Sequence, residues 1–360
     1  MFAVSRRSAY KGQVWRRLSS VIQNVQVRLA KRPIGKTSPD CFSIHREDVP
    51  NPTSPGDILV QVSEISIDPA MRGWMNDVKS YIRPIGIGEV FRANGVGNVV
   101  ASNNPDYMVG DVVMGGFGVQ KYSLLTAKDI PRAGITKIDL NLGTQQQWLN
   151  VLGMPGMTAY FGLKDVGLPK AGETIVISAA AGAVGQTVGQ LAKVLGLRTV
   201  GIAGGPEKCT WVVKTLGFDA CIDYKDSPSS VRDGLKTHCP SGIDIYFDNV
   251  GGDILDHVLA RINRQARVVI CGAVSQYNTD THTKGPKNYL SLLVNRARME
   301  GMVVFDYADR YAEAVRDLSG LMKNGQITSR EHVEEGIEKF PETLDLLFAG
   351  KNFGKLILKV

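Results

Sequence analysis

Short runs of alternating apolar and polar residues, separated by turn-forming residues, characterise the first 150 positions of the chain. Residues 57–67 alternate in this way after a stretch rich in proline, and residues 95–101 and 111–117 are further short apolar runs. A period of two indicates strands that are buried on one face. Because these strands follow one another without long helices, they predict a small β-barrel domain over residues 25–150.

After residue 150 the pattern changes to short apolar runs that alternate with helical stretches. This alternation is typical of a doubly wound parallel sheet, whose strands are covered by helices on both faces. A last apolar run, 354–360, predicts a strand that returns to the first domain. We therefore predict an α/β fold in which residues 25–150 and 325–360 form one domain and residues 151–324 the other. The predicted strands of the second domain are 174–178, 199–203, 221–223, 243–247 and 267–271, and its predicted helices are 184–195, 208–216 and 254–262.

The distribution of charge argues against a nucleic-acid partner, and the apolar stretches of the sequence argue against a membrane span. The first 39 residues carry nine lysines and arginines and no acidic residue, and the rest has 33 basic against 35 acidic residues. The body of the protein is therefore near neutral, whereas a nucleic-acid partner needs basic residues clustered on a folded face. The longest uncharged stretch, 174–192, is close to the ~20 residues of a membrane span. Because it contains a serine, three glycines and two glutamines, it predicts a buried strand followed by a helix instead.

A basic arm over residues 1–24 precedes the first domain. Its apolar residues fall on one stripe of a helix, with basic residues on the other side: Val14, Trp15, Leu18, Val21 and Ile22. An acid-free, serine-bearing, amphipathic start is typical of a mitochondrial transit peptide, and a solvated extension is the alternative. The sequence leaves a cytoplasmic and a mitochondrial matrix location open.

The cysteines and histidines form no disulfide or metal-binding pattern. The five cysteines include no CxxC pair, so a disulfide framework is not expected and a reducing compartment is favoured. No histidine is spaced from a cysteine or glutamate so that the two side chains would converge on zinc, and we expect no metal. The cysteines are Cys41, Cys209, Cys221, Cys239 and Cys271, and the histidines are His45, His238, His257, His282 and His332.

A glycine-rich turn, Gly182–Gly185, lies between a predicted strand and a predicted helix. In such a turn Gly182 would let the backbone approach a pyrophosphate and Gly185 would let the helix pack on the strand, while the helix N-terminus supplies N–H groups. Ala180 stands where the stricter G-x-G-x-x-G pattern has its first glycine. The strand–turn–helix context predicts dinucleotide binding, and a tight turn without a ligand is the alternative.

The end of the next strand favours NADPH over NADH. A site for NADH usually has an acidic residue there to hold the ribose hydroxyls, but residues 201–205 contain none. Lys208 follows, where its ammonium group could meet the additional phosphate of NADPH. A solvated lysine at the start of a helix is the alternative interpretation of Lys208.

Several segments together resemble the zinc-free medium-chain dehydrogenases/reductases, and within them the prostaglandin reductase and alkenal double-bond reductase branch. The pair YFDNVGG and CGAVSQYN is specific to that branch, whereas the glycine turn alone is not. The segments are QVRLAKRP (26–33), DPAMRGWM (68–75), GMPGMTAYFGL (153–163), AAAGAVG (179–185), LGFDACIDYK (216–225), YFDNVGG (246–252), CGAVSQYN (271–278) and GKNFGKLIL (350–358).

The resemblance implies a GroES-like barrel domain with an inserted Rossmann domain, and a homodimer. It also implies how the chain would hold NADPH: Gly182, Ala183, Val184 and Gly185 at the pyrophosphate, Lys208 and Tyr224 at the 2′-phosphate, Asn249 at a ribose, Cys271, Gly272, Ala273, Val274, Ser275, Gln276 and Tyr277 along the nicotinamide half, Met302, Val303 and Val304 behind the nicotinamide, and Asn352 from the C-terminal segment. Asn249 as a helix cap and Met302–Val304 as a core strand are the alternatives. Arg83 stands where relatives often have proline, and this affects the expected shape of the substrate pocket.

The expected activity is metal-independent reduction of the C=C bond of α,β-unsaturated ketones and aldehydes. Hydride goes to the β-carbon, and the negative charge that develops on the carbonyl oxygen needs a hydrogen-bond donor. We expect Tyr277 to be that donor, together with the nicotinamide ribose hydroxyl, and Tyr81 to be a second pocket hydroxyl; an ordinary loop tyrosine is the alternative for Tyr277. A quinone reductase, and a catalytically silent NADPH-binding regulatory protein, remain as alternative functions.

Overall fold

The computed structural model describes residues 22–279 and 285–360, and these divide into two compact units. The first unit ends at Asn141 and also includes Val333–Asp345 and Ile357–Val360, while the second consists of Leu142–His332 and Leu346–Leu356. The prediction assigned residues 142–150, 325–332 and 346–356 to the first domain, whereas they belong to the second unit, in which the Asn150 side-chain amide donates to the Glu331 carboxylate at 2.9 Å. The stripe predicted in the basic arm lies outside the described residues, except for Ile22.

The first unit is built on antiparallel strands. Strands β1 and β2 form a two-stranded sheet, and seven others form a sheet in the order β14-β15-β3-β4-β5-β7, with β6 also paired to β3. The prediction of a β-rich domain without long helices is confirmed, because the helices described up to residue 150 have at most five residues. The strands are β1 (Gln23–Leu29), β2 (Phe42–Asp48), β3 (Ile58–Ser66), β4 (Asn94–Ser102), β5 (Val112–Gly116), β6 (Tyr122–Leu125), β7 (Thr136–Lys137), β14 (Glu331–Glu335) and β15 (Lys355–Lys359).

The second unit contains a six-stranded parallel sheet in the order β10-β9-β8-β11-β12-β13. All five residues of β8 are buried, which explains the apolar run Ile175–Ile177 at its centre. The chain proceeds from β8 to one side and then crosses to β11 on the other, so that the order of strands reverses between them. The strands are β8 (Thr174–Ser178), β9 (Arg198–Ala203), β10 (Ala220–Asp223), β11 (Ile243–Asp248), β12 (Ile262–Ile270) and β13 (Arg298–Gly301).

Helices cover this sheet at the predicted places, with differences at their ends. The helix predicted over 254–262 ends at Leu259, because Ile262 already begins β12. None of the described helices is both long and apolar enough to cross a membrane. In chain order the described helices are α1 (Ala70–Trp74), α2 (Asp129–Ala133), α3 (Gln145–Trp148), α4 (Met154–Phe161), α5 (Ala183–Val194), α6 (Pro206–Lys214), α7 (Ser230–His238), α8 (Gly252–Leu259), α9 (Leu290–Asn295), α10 (Tyr311–Lys323) and α11 (Phe340–Phe348).

Candidate functional site

The site residues expected in the second unit follow the carboxyl ends of its parallel strands, apart from Asn352. Carboxyl ends of parallel strands share one edge of a sheet, and ligands of doubly wound sheets bind there, at the point where the strand order reverses. Gly182–Gly185 follow β8, Lys208 follows β9, Tyr224 follows β10, Asn249 follows β11, Cys271–Tyr277 follow β12, and Met302–Val304 follow β13.

The glycine turn is too tight for a side chain at Gly185. A Cβ there would lie 2.3 Å from the carbonyl oxygen of Ala179. Gly182 is the N-cap of α5, so the first N–H groups of the helix project outward at its N-terminus, where they can hold an anion. Ala180 replaces the first glycine of the stricter pattern. Its Cβ fits because the neighbouring residue is Gly201; a Cβ on Gly201 would lie only 2.8 Å from the Ala180 Cβ.

The C-terminal segment of the second unit lies beside this turn. The Gly354 N–H donates to the carbonyl oxygen of Ala181 at 3.1 Å. The Asn352 side-chain amide donates to the carbonyl oxygen of Gly354 at 2.9 Å, so Asn352 belongs to the same segment. Phe353 packs edge-on against Trp211 of α6, with ring centroids 5.1 Å apart. The segment that carries Asn352 therefore contacts the glycine turn through Gly354, and the contact of Asn352 with a cofactor stays a prediction.

A basic cluster of Lys208, Tyr224 and Lys225 lies after β9 and β10. The Lys208 Nζ donates to the carbonyl oxygen of Gly350 at 2.8 Å. A Cβ on Gly350 would lie 3.5 Å from the Tyr224 hydroxyl and 3.7 Å from the Lys225 Nζ, so the three side chains converge on this glycine. Burial lowers the pKa of the Lys208 ammonium group, and the like charge of Lys225 lowers it further. A bound anion would relieve this repulsion.

Asn249 connects the ends of two central strands. Its side-chain amide donates to the carbonyl oxygen of Ser178 at 2.8 Å, and its backbone N–H donates to the Ser178 hydroxyl at 2.8 Å. Gly251 is the N-cap of α8, and no side chain caps that helix. The alternative interpretation of Asn249 as a helix cap is therefore wrong; the residue joins β8 to β11.

Asp248, for which the sequence pattern predicts no role, organises the turn after β11. Its Oδ1 accepts hydrogen bonds from the Tyr246 hydroxyl at 2.8 Å and from the N–H groups of Val250 and Gly251 at 2.9 and 2.8 Å. Burial raises the pKa of this carboxyl group, and the two N–H donors oppose that rise. Asp248 lies within the segment YFDNVGG, and its position at the end of a buried strand was the signal that could have identified it.

The segment after β12 runs along this turn. The N–H groups of Cys271 and Gly272 donate to the carbonyl oxygen of Asp248 at 2.9 and 3.1 Å. The Ser275 hydroxyl donates to the carbonyl oxygen of Val250 at 2.6 Å, within the short helical turn Val274–Gln276. Burial raises the pKa of the Cys271 thiol to about 12, so this thiol stays protonated at neutral pH.

The Tyr277 hydroxyl folds back over its own segment. It accepts a hydrogen bond from the Ala273 N–H at 3.1 Å, and this contact orients the ring at the end of β12. A phenol can accept one hydrogen bond and donate another, so the contact is compatible with a donor role. Tyr81 lies in the first unit, where its side chain is 59% exposed. Arg83, nearby in sequence, forms an exposed ion pair with Glu89.

Met302 and Val303 follow the end of β13 and are half-buried, and Val304 begins a short 3-10 helix that ends at Arg310. The Met302 N–H donates to the carbonyl oxygen of Ile270 at 3.2 Å. Because β13 ends at Gly301, the alternative interpretation of Met302–Val304 as a core strand is wrong. These residues lie in the loop at the carboxyl edge.

No metal-binding group is found in the ranges 22–279 and 285–360, where no three His, Cys, Asp or Glu side chains are placed to hold an ion. His282 lies outside these ranges.

Comparisons with known proteins agree with this architecture. Residues 25–132 match the family model described as the N-terminal domain of oxidoreductase, and residues 183–320 match the one described as zinc-binding dehydrogenase. The NADPH-dependent curcumin reductase of Escherichia coli is 42% identical over 92% of this chain and 95% of its own. The 2-alkenal reductase (NADP⁺-dependent) of Nicotiana tabacum is 40% identical over 86% of this chain and 89% of its own.

A solved structure is similar over almost the whole length. The structure of CurA from Vibrio vulnificus in complex with NADPH has a TM-score of 0.86 and 40% identity, covering 93% of this chain and 99% of that one. The expected fold, a GroES-like domain with a Rossmann domain, is confirmed. The chain therefore belongs to the zinc-free medium-chain dehydrogenases/reductases, in the branch of alkenal and prostaglandin reductases.

Proposed function

We propose that the protein reduces the C=C bond of α,β-unsaturated ketones and aldehydes with NADPH as the cofactor. The observation that carries this proposal is the basic cluster, because the side chains of Lys208, Tyr224 and Lys225 converge on Gly350 after the ends of β9 and β10. No acidic residue is present in residues 201–205, where NADH would need one for its ribose. The relatives reported above are NADPH-dependent or NADP⁺-dependent reductases, which supports the same cofactor.

The described residues fit NADPH along the carboxyl edge of the sheet. The N–H groups at the start of α5 would hold the pyrophosphate, since Gly185 leaves no side chain between the turn and the strand. Lys208 and Lys225, with Tyr224, would hold the 2′-phosphate. Asn249 would contact a ribose from the end of β11. The segments Cys271–Tyr277 and Met302–Val304 would contact the nicotinamide half, and Asn352 would contact the cofactor from the C-terminal segment.

The reaction needs a hydrogen-bond donor at the substrate carbonyl oxygen. Bound NADPH supplies the hydride that the β-carbon receives. As charge moves onto the carbonyl oxygen, the Tyr277 hydroxyl donates a hydrogen bond to it, and this bond strengthens toward the transition state. The Ala273 N–H holds the Tyr277 hydroxyl in place beforehand, so less reorganisation is required when the substrate binds. Tyr81 is proposed as the second pocket hydroxyl.

Two alternative functions give different results in one assay. Purified protein is mixed with NADPH or NADH and with medium-chain enones, enals and simple quinones, and cofactor oxidation is followed. Turnover of enones and enals with a preference for NADPH is expected. Turnover of quinones alone would favour the quinone reductase, which the names of the relatives do not support. NADPH binding without turnover of any substrate would favour the silent regulatory protein.

We propose a homodimer that forms through the edge of the parallel sheet. Strand β13 is the last strand of the sheet, and all four of its residues are exposed. Helix α9 comes just before β13 in the chain, and its residues Leu293 and Val294 are 74% and 68% exposed. Exposed apolar side chains beside an unpaired strand edge favour association with a second copy. Light scattering should give a molar mass of twice 39.1 kDa for the wild type, and Leu293→Asp should lower it toward the mass of one chain. A Leu293→Asp variant with the mass of the wild type would contradict this edge as the interface.

For the cellular location we propose two alternatives, the cytoplasm and the mitochondrial matrix. The family model for the first domain begins at residue 25, after the basic arm, and no comparison supports mitochondrial targeting. A fusion of residues 1–24 to a fluorescent protein distinguishes them. Mitochondrial fluorescence would support a transit peptide, and diffuse fluorescence would support a solvated extension.

A further inference from the structure

Two cysteines face each other next to the basic cluster. Cys209 is the fourth residue of α6 and Cys221 is the second residue of β10. Their sulfur atoms are 3.2 Å apart, and the Cys221 thiol donates a hydrogen bond to the Cys209 sulfur. Both residues line a cavity of about 580 Å³ and both are partly exposed. Small reagents can therefore reach the pair from solvent.

The other cysteines do not combine these properties. Cys41 and Cys239 are each 1% exposed, and Cys271 is partly exposed in the loop after β12. Burial raises the pKa of the Cys239 thiol to about 11 and that of the Cys271 thiol to about 12, which disfavours their reactive thiolates. In contrast, the hydrogen bond from Cys221 lowers the pKa of the Cys209 thiol. Cys209 is the thiol best suited to react, and Cys221 is already in position to follow.

We propose that Cys209 and Cys221 are an oxidisable dithiol, which hydrogen peroxide converts to an intramolecular disulfide that displaces Lys208 and weakens NADPH binding. In the first step the Cys209 thiolate attacks one peroxide oxygen and the O–O bond breaks, so that a sulfenic acid forms and the leaving hydroxide takes up the proton of the Cys209 thiol to become water. In the second step the Cys221 thiol attacks the sulfenic sulfur, the S–O bond breaks, and water leaves as the S–S bond forms. The two thiols lose two electrons and two protons, and peroxide becomes two water molecules.

The displacement of Lys208 follows from the geometry of the segment. A disulfide requires about 2.05 Å between the sulfurs, so the thiols must approach each other by about 1 Å. Cys209 directly follows Lys208 in the first turns of α6, and the carboxylate of Asp223, two residues after Cys221, accepts from the N–H groups of Gly205 and Lys225. Formation of the disulfide would therefore move the backbone on both sides of the basic cluster, at Lys208 and at Lys225. This second half of the proposal rests on the proposed role of Lys208 at the 2′-phosphate.

The disulfide is tested by mass spectrometry on the full chain without any cofactor. The protein is treated with hydrogen peroxide, free thiols are alkylated, and the peptides are mapped. We expect a reversible Cys209–Cys221 disulfide while Cys239 stays alkylated. Cys221→Ser should stop at a sulfenic acid on Cys209 that dimedone traps, and the control Cys239→Ser should form the disulfide like the wild type. The absence of a Cys209–Cys221 disulfide in wild type would overturn the proposal.

NADPH titration of the reduced and oxidised proteins tests the effect on Lys208. We expect oxidised protein to bind NADPH at least about fivefold more weakly, and peroxide to leave the affinity of Cys221→Ser within twofold of its untreated value. Equal affinity of the reduced and oxidised wild type would overturn the displacement of Lys208. A failure of the proposed function would show differently, because reduced protein would then lack a preference for NADPH while the disulfide would still map to the same pair.

Discussion

Replacing Lys208 by alanine should weaken NADPH binding much more than NADH binding. The Lys208 ammonium group is half-buried beside Lys225, and its hydrogen-bond partner in the described structure is the carbonyl oxygen of Gly350. The lowered pKa of Lys208 reflects burial and the neighbouring positive charge. A phosphate bound at this position would gain a charge-assisted hydrogen bond from Lys208, and only NADPH carries that phosphate.

The size of the effect follows from the energy of such a bond. A hydrogen bond to a charged group contributes about 1.5–3 kcal/mol. Its loss corresponds to roughly a ten- to hundredfold rise in the dissociation constant of NADPH. We expect a value near the lower end, because Lys225 remains in the cluster and can hold part of the phosphate charge. The dissociation constant of NADH should change by less than about twofold, since NADH makes no contact with this side chain.

The assay is a fluorescence titration of wild type and variant with both cofactors. Lys214→Ala is the matched control, because Lys214 is an exposed lysine at the end of the same helix. Adenosine 2′,5′-bisphosphate should lose affinity for Lys208→Ala, while adenosine 5′-monophosphate should not. An equal loss for NADPH and NADH would refute the assignment of Lys208 to the 2′-phosphate and would point to a structural role at the start of α6.

Three further predictions concern catalysis, metal dependence and stability. Tyr277→Phe should lower kcat for enones by roughly ten- to a hundredfold with little change in KM, because only the hydroxyl is lost. An unchanged kcat, or an equal loss of kcat in the control Tyr289→Phe, would show that the Tyr277 hydroxyl has no role in catalysis. Metal chelators should leave enone reduction unchanged, and activity that chelators abolish and zinc restores would contradict the zinc-free assignment. Asp248→Ala should lower the free energy of unfolding, measured with urea, by about 3 kcal/mol or more, because the partly buried N–H group of Val250 and the buried N–H group of Gly251 would lose their acceptor. Asp248→Asn should cost less, and an alanine variant as stable as the wild type would contradict that role.

The sequence predicts the buried parallel strands well, because burial on both faces leaves a readable apolar run. Strand β8 begins and ends where it was predicted, and β9 and β11 differ by one residue at one end. Strand β13 was not predicted, because its residues RMEG are exposed and its pairing to β12 holds it at the edge. The first half of β12 was also missed, since its middle is polar and Gln265 has a left-handed φ of 62°.

The candidate site was predictable where a short sequence pattern indicates the site residues. It was not predictable where the residues that contact one another are distant in the chain. The glycine turn lies between a strand and a helix, so its chemistry is visible in a short segment. Lys225 joins the basic cluster only because β10 lies beside β9 and the segment around Gly350 returns to it. The Cys209–Cys221 pair was not predictable for the same reason. The two cysteines are not in a CxxC motif, and they meet because α6 packs on β10.

Transfer of deuterium from NADPH into the product tests the proposed C=C reduction most directly. NADPH that carries deuterium at both C4 positions is mixed with the purified protein and an acyclic medium-chain enone, and the product is analysed by NMR and mass spectrometry. We expect a saturated ketone with one deuterium on the former β-carbon and an intact carbonyl group. An allylic alcohol with deuterium on the carbonyl carbon, or NADPH that is bound but never consumed, would contradict it.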